Sequence, residues 1–570
     1  MDPRERRTTT ARTARLGFLL IGNLAAIFFL FNQCGGEAQV PADPAQVSVK
    51  ESAAASGELL LGVDSLPEGL DMGLAPDVAL LETPEPAPAE FPHLDPELAA
   101  RIEGHISAAV ATAHKKTKGK ANASNCMVAL SVLDARGTQL VQRAAQNPMR
   151  PASNMKLVTS AAALLRLGRE GSFNTRFEAS GEVTGGVLQG DLIVRAGGDP
   201  FYDPLAEGLV QHLFDPLLQA LQSAGIREIQ GDIVLDEGNF ADPAAAPGWP
   251  SADQYWQEHC ALAAGFSANA GCLTAFVVPT QVGSRARAEL RPDLGGLERS
   301  GTVKTGSSKS RLDIAIGATS SKATLRGSIP ASPNSWSQRF SHPDPVGLFG
   351  SVLRKALVAG QLTLRGGLRR TRDVPAGREL YTLRTPIVTV LEPINAESNN
   401  SVADQLFFTL GHQASGAGNR IGGQAAAKRA LEQLGVSAEG LIMADGSGLS
   451  RDNRVTAAQL TQLLHSVALE GGPIWSLYLG SLAVSGEKGS LERRMQKTPA
   501  EGRVYAKTGW INGTSALSGY VKTESGEMLC FSLLVNYPNL SGLNTSCWKP
   551  LGNKICAELA QWKSKRPRVK

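Results

Sequence analysis

Three short motifs, far apart in the chain, constrain its fold more than any other feature. Ser153-Asn154-Met155-Lys156, Ser398-Asn399-Asn400 and Lys507-Thr508-Gly509 occur in that order and read S-x-x-K, S-x-N and K-T-G. If they act together, folding must close the 245-residue separation between Ser153 and Ser398. Each motif alone is weak. Ser485-Gly486-Glu487-Lys488 is another S-x-x-K with no apolar helix behind it, and Ser267-Ala268-Asn269 and Ser332-Pro333-Asn334 also match S-x-N. A second K-T-G, Lys304-Thr305-Gly306, precedes a polar turn and lies before the S-x-N. Local context therefore separates the working copies from coincidence.

Pro151-Ala152-Ser153 opens a helix that Met155, Leu157, Val158, Ala161, Leu164 and Leu165 make apolar almost all round. Such a helix is buried, and Gly168 ends it. Positions i and i+3 share a face, so the Lys156 amine reaches back to the Ser153 hydroxyl. A serine becomes nucleophilic beside a base, and a neutral lysine serves as one. Burial and a nearby cation both depress a lysine pKa, and Lys507 is the expected cation. The bland alternative is a serine at a helix start followed by an ordinary lysine.

Ser398 and Asn400 precede an apolar helix from Val402. A hydroxyl there can pass a proton to a leaving amine, while the amide holds the lysine or a substrate. Lys507-Thr508-Gly509 ends a strand, and the chain turns into the next after Trp510. Gly509 allows close approach of a ligand backbone. Lys507 and Thr508 offer a cation and a donor to a carboxylate, and an extended peptide can add to this strand. The backbone N–H groups of Ser153 and Trp510 are the candidate oxyanion donors.

The organisation along the chain is uneven. Basic residues before the apolar run Leu16–Phe31 predict a targeting segment over 1–35 with its start in the cytoplasm. A retained signal anchor, cleavage after Gly36-Glu37-Ala38 and lipidation at Cys34 all export the chain, although Phe31-Asn32-Gln33 fits a lipobox poorly. Residues 36–96 are acidic and rich in Pro and Ala, the composition of a tether. The net charge of +4 conceals this asymmetry and a basic tail over 563–570; a solvated tail explains the latter, and no nucleic-acid partner is expected. Order begins with an amphipathic helix on Leu98, Ile102, Ile106 and Val110. Strands follow at 126–133 and 139–143. Residues 97–172 and 386–562 form the two parts of one domain, and 173–385 reads as a β-rich insertion large enough for two small domains. Two strands early and three late, with helices between, predict an α+β fold with one antiparallel sheet covered by helices.

Export changes the meaning of the seven cysteines. Cys260 and Cys272 close a short loop and are the first disulfide candidates. Cys547 and Cys556 are also near in sequence, and Cys126 and Cys530 can pair or remain thiols. No C-x-x-C or H-E-x-x-H is present, so no metal site is expected, and the eight scattered histidines read as structural.

With these residues assembled, the chain resembles the class C low-molecular-mass penicillin-binding proteins, the D-Ala-D-Ala carboxypeptidase/endopeptidases. Further matches extend over about residues 97–560. Ala444-Asp445-Gly446-Ser447-Gly448-Leu449-Ser450-Arg451 looks like the family's A-D-G-S-G-L-S-R segment, Ala246-Pro247-Gly248-Trp249-Pro250 with Asp253 like its A-P-G-W-P loop, and Gly198-Asp199-Pro200 like its G-D-P element. Cys260 and Cys272 sit where the family has a disulfide loop.

The resemblance implies a transpeptidase fold of the penicillin-binding and serine β-lactamase type, with a five-stranded sheet. It implies that Ser153 is acylated, that Lys156 is its base, and that Ser398, Asn400 and Lys507 complete proton transfer and hold the substrate carboxylate. Thr508, Gly509 and Trp510 would line the substrate. Asp253 and Arg451 match positions that contact a peptide side chain, and Asn512 stands where some relatives have Gln. Trp510 is bulkier than the pattern, and extra residues separate Asp253 from Cys260. The expected activity is that of an exported serine DD-peptidase on peptidoglycan stem peptides. It would be acylated by β-lactam antibiotics, need no cofactor, and be periplasmic, secreted or held to the inner membrane by its N-terminus. The rivals are a β-lactamase or esterase on this scaffold and an idle peptidoglycan-binding sensor.

Overall fold

The computed structural model describes residues 95–292, 298–318, 322–332 and 334–564. The targeting segment, almost all of the tether, and all of the basic tail beyond Ser564 lie outside the described residues. Among the described residues no helix is long and apolar enough to cross a membrane.

Six strands form one antiparallel sheet. They are β1 (Met127–Leu133), β2 (Gln139–Arg143), β3 (Ala483–Val484), β4 (Val504–Ile511), β5 (Thr514–Lys522) and β6 (Met528–Asn536), in spatial order β3-β4-β5-β6-β1-β2. The expected five strands are present and the sixth is the two-residue β3, too short to be seen as a hydrophobic run. It pairs only with Tyr505 and Ala506, so β4 from Lys507 onward has an open edge. β4 also runs past Gly509 to Ile511, so K-T-G lies inside the strand and not at its end.

Because side chains alternate along a strand, the sheet builds two cores. Val504, Ala506, Leu517, Phe531 and Leu533 face α1 (Pro96–Lys116) and the C-terminal helix Lys549–Gln561. Ala516, Tyr520, Cys530 and Leu534 face a second layer containing α2 (Met155–Leu167), α3 (Asn400–Ser415), Arg420–Gln433 and Ala457–Glu470. With both faces covered, these strands read as near-continuous apolar runs. Asp95 caps α1 by accepting from Leu98 N at 3.0 Å, with Pro96 next.

Between α2 and α3 the described residues build four smaller sheets. The largest orders Leu368–Thr371, Ile233–Asp236, Leu192–Arg195, Ser172–Ala179 and Arg378–Pro386. Its core also takes in the helix Pro345–Ala359 through Phe349, Val352 and Leu353. Ser172–Ala179 and Arg378–Pro386 pair antiparallel with Ser172 opposite Pro386, so the chain leaves the helical layer and returns to it side by side. Cys260 and Cys272 are separate buried thiols, which corrects the disulfide expected between them. Cys272 Sγ turns back to the Ala270 carbonyl at 3.6 Å, and burial pushes both thiols up to about 12. Cys126, Cys530, Cys547 and Cys556 are also buried thiols.

Candidate active site

Ser153 lies in a 3-10 turn, Ala152–Asn154, that runs into α2, so Lys156 falls in the first turn of the helix. The i, i+3 geometry expected from the sequence is present: Lys156 Nζ is 3.2 Å from Ser153 Oγ. The same amine donates to Asn400 Oδ1 at 2.6 Å and to the Ser447 carbonyl at 2.6 Å. Three stretches of chain thus converge on the amine of a lysine that is 0% exposed. Burial lowers its pKa to about 8, and the carboxylates of Asp404 and Asp445 oppose that shift. Of the two depressing causes expected, burial and the Lys507 charge, burial is the one that acts on Lys156. The repulsion between the amines registers at Lys507, whose pKa falls well below its ordinary value through burial first and Lys156 second.

Lys507 reaches the site through Asn154. The Asn154 amide donates to the Lys507 carbonyl at 2.8 Å and accepts from Ser518 Oγ at 2.6 Å. Gly509 closes the same seam, since a Cβ there would lie 2.8 Å from the Pro151 carbonyl. The Lys507 amine donates to the Thr508 carbonyl at 3.0 Å, and Thr508 Oγ1 donates to Ser490 Oγ at 2.8 Å. Trp510 is 54% exposed on the open edge. Ser398 occupies a left-handed turn (φ +67°) just before α3. Asn399 caps that helix by accepting from Val402 N. Ser398 is half-buried two residues from Asn400 and hydrogen-bonds to neither lysine.

The A-D-G-S-G-L-S-R segment builds the floor. Asp404 Oδ1 accepts from the backbone N–H groups of Gly446 and Ser447, each at 2.8 Å. Thr159 Oγ1 donates to the Gly446 carbonyl at 2.7 Å. This peptide is therefore fixed with the Ser447 carbonyl toward Lys156. Asp404 Oδ2 is buried without a hydrogen bond, and burial followed by the neighbouring Asp445 pushes its carboxyl up to about 7. Asp445 accepts from Gly448 N, Ser450 N, Asn453 Nδ2 and Trp249 Nε1. Gly448 has φ +83°, and a Cβ there would lie 1.9 Å from the Ala152 carbonyl, so only glycine fits under the serine.

Of the three residues expected to meet a substrate side chain, Arg451 and Asn512 come together. Arg451 Nη1 donates to the Asn512 carbonyl at 2.9 Å, and Arg451 N donates to the Gly248 carbonyl at 2.9 Å. This joins the A-P-G-W-P loop to the β4–β5 turn. Asp253 stands exposed in the 3-10 turn Ala252–Gln254 and forms no bond with Arg451. The inserted region also reaches inward, because Asn400 Nδ2 donates to the His259 carbonyl at 2.9 Å. Sequence reasoning missed Asn154, Asp404, Ser447 and His259. Asn154 sat in a free position of S-x-x-K. Asp404 was legible as an acid four residues after Asn400, on the same face of an apolar helix. Ser447 and His259 act through carbonyls, which leave no side-chain signal.

The arrangement offers a hydroxyl beside an amine with depressed pKa and an open strand edge, the elements of nucleophilic acyl transfer. The D-Ala-D-Ala carboxypeptidase 3 (S13) family model matches residues 113–547. The D-alanyl-D-alanine carboxypeptidase of Actinomadura sp. (strain R39) is 33% identical over 423 residues, covering 70% of this chain and 76% of the relative. D-alanyl-D-alanine carboxypeptidase DacB of Haemophilus influenzae is 25% identical, covering 68% and 80%. The crystal structure of penicillin binding protein 4 (dacB) from Haemophilus influenzae is similar in fold. It superposes with TM-score 0.65 at 21% identity, covering 77% of this chain and 97% of that one. The chain belongs to the D-Ala-D-Ala carboxypeptidase 3 (S13) family.

Proposed function

We propose that the chain is a serine DD-peptidase of the cell envelope, cleaving D-Ala-D-Ala ends or D-Ala–diaminopimelate crosslinks of peptidoglycan through an acyl-enzyme on Ser153. The observation that carries the reading is the placement of Lys156 Nζ, 3.2 Å from Ser153 Oγ and held by Asn400 and Ser447. A neutral amine there removes the serine proton as Oγ attacks the carbonyl, forming the O–C bond of the tetrahedral intermediate. The N–H groups of Ser153 and Trp510 stabilise its oxyanion. Ser398 relays the proton to the departing amine as the C–N bond breaks, and water hydrolyses the ester. The open edge of β4 supports an extended peptide lying beside Thr508 and Gly509, with Asp253, Arg451 and Asn512 near its side chain. Family membership supports an envelope role, and the N-terminal apolar run supports export or tethering at the inner membrane.

Labelled penicillin tests this. It is expected to attach covalently to the wild-type protein and not to Ser153→Ala; equal labelling of both would refute the assignment. Mass spectrometry of crosslinked muropeptides after incubation separates loss of one D-Ala from conversion of dimers to monomers. Rapid turnover of penicillin would instead favour a β-lactamase, and muropeptide binding without cleavage an idle sensor.

A further inference from the structure

An antiparallel bridge between Met149 and Val455, bonded in both directions at 2.9 and 3.0 Å, lies just ahead of the turn that carries Ser153. Both of these side chains are buried in the core of the helical layer. The next residues along the two segments are Arg150 and Arg454. The register sets them across from each other, on the side away from that core. Arg451 joins them at the β4–β5 turn. Arg150 Nη2 donates to the Gly513 carbonyl at 3.2 Å, and Arg451 Nη1 to the Asn512 carbonyl at 2.9 Å. Three half-buried arginines thus meet around one hairpin tip, at the end of the strand that carries K-T-G.

Like charges directly across a strand pair repel. Burial first, then the charges of Arg451 and Arg454, push the Arg150 pKa below its ordinary value. Among the described residues no carboxylate forms an ion pair with any of the three. Asp452 lies between two of them in sequence, but it is exposed and turned elsewhere: a Cβ added at Gly248 would lie 2.9 Å from its Oδ2. The guanidiniums bond to neutral backbone carbonyls, Arg454 Nη1 to those of Arg451 and Asn453 at 2.7 and 2.8 Å. Most of their N–H donors therefore have no protein acceptor. Elsewhere the chain neutralises its arginines: Arg195 pairs with Glu178 and Asp236, and Arg370 with Glu237 and Asp344. A cationic group without acids, beside a peptide-binding strand, is the complement of an anion that arrives with the ligand.

We propose that Arg150 and Arg454 hold an upstream carboxylate of the stem peptide, the free α-carboxylate of the γ-linked glutamate that precedes diaminopimelate. The proposal rests on the DD-peptidase reading and extends the recognised substrate by one residue toward the glycan. A peptide lying antiparallel to β4, with its scissile carbonyl at the Trp510 N–H, runs with its amino-terminal side toward Ile511 and the hairpin tip. The diaminopimelate side chain then meets Arg451 and Asn512. The next residue upstream, about 3.3 Å further along, comes to Gly513 and Arg150. A guanidinium keeps its charge at any working pH and grips a carboxylate in a planar fork. The incoming anion offsets the repulsion that the empty cluster carries.

The test compares two pentapeptide stems ending in D-Ala-D-Ala, identical except that the glutamate α-carboxylate is free in one and a carboxamide in the other. Release of D-alanine is followed by mass spectrometry. Wild type is expected to favour the free acid by about 10-fold in kcat/KM, the scale of a charge-assisted hydrogen bond. Arg150→Gln is expected to bring that ratio toward one by slowing the acid more than the amide, and Arg150→Lys to keep part of it. Arg454→Gln is expected to lower the ratio about 3-fold. Equal rates on both stems in wild type would overturn the proposal even if the variants fail to fold. An Arg150→Gln protein that still labels with penicillin but loses both hydrolyses in proportion would also overturn it, by showing a purely structural arginine. Absence of both hydrolysis and penicillin labelling in wild type would instead sink the DD-peptidase reading, and the proposal with it.

Discussion

The Ser447 carbonyl accepts a 2.6 Å hydrogen bond from the Lys156 amine, and Asp404 holds that carbonyl in place by binding the N–H groups of Gly446 and Ser447. A backbone acceptor steers the amine toward Ser153 without itself taking the proton. Beneath it lies a carboxyl whose ionisation favours the charged amine.

The pH dependence of acylation follows from this pairing. Lys156 must be neutral to act as base, and burial sets its pKa at about 8. Protonation below that value removes the base, so the acylation rate is expected to fall on the acid side with an apparent pKa near 8 and to level off above it. The Asp404 charge raises the Lys156 pKa. Asp404→Asn removes the charge and keeps an oxygen for the two N–H groups, so the acid limb should move to lower pH. Asp404→Ala removes the oxygen as well and should cost about 10²-fold or more in rate, the scale of mispositioned catalytic groups. Rates of acylation by a chromogenic β-lactam across pH measure both.

Gly448→Ala brings a Cβ to 1.9 Å from the Ala152 carbonyl and 3.0 Å from Ser153 N, at φ +83°. Backbone strain alone costs about 1–3 kcal/mol, and relieving the clash displaces the turn that carries the nucleophile. Penicillin labelling is expected to fall by at least about 10²-fold, together with a lower Tm. A folded variant labelled at the wild-type rate would show that the turn tolerates the shift.

Asn154→Ala takes its buried side-chain donor from the Lys507 carbonyl, while the Ser518 hydroxyl keeps Ser532 Oγ at 2.9 Å. At about 1–3 kcal/mol for an unsatisfied buried group, a loss of about 1–3 kcal/mol is expected in denaturant unfolding. Acylation should drop as well, because the seam between α2 and β4 loosens. Unchanged stability would mean that water replaces the amide.

Arg451→Ala removes a guanidinium from the rim while sparing the amines below it. Penicillin acylation is expected to change by less than about 3-fold, since among the described residues the Arg451 side chain hydrogen-bonds to the Asn512 carbonyl and to no group of the Ser153–Lys156 site. Hydrolysis of stem peptides with a diaminopimelate side chain should fall about 10-fold or more relative to a truncated analogue. Parallel loss on both peptides would remove Arg451 from side-chain recognition.

Much of the fold was legible because its signals are local. The strand starting near Cys126, the helix built on Leu98, Ile102 and Ile106, and the apolar α2 follow from hydrophobic period alone. The site was legible where side chains recur in motifs, as for Ser153, Lys156 and Asn400. What stayed hidden was contributed by backbone or by distance. The Ser447 and His259 carbonyls carry no residue signature, and β3 is too short for a pattern. The loop from Cys260 to Cys272 shows the converse: closeness in sequence did not bring the two sulfurs into a bond.

The bond from Asn400 to the His259 carbonyl bears on any attempt to trim this protein. Because Ser172 and Pro386 stand opposite each other, a short linker would bridge the gap after excision of the intervening segment; the core between the sheet and the C-terminal helix would stay whole, while the helical layer would lose Phe240, Ala263 and Ala270. Yet the excised piece carries the acceptor that orients the amide gripping Lys156. A minimal version would thus be easy to close and chemically impaired, its lysine still held by the Ser447 carbonyl but paired with an Asn400 amide that has lost its own anchor.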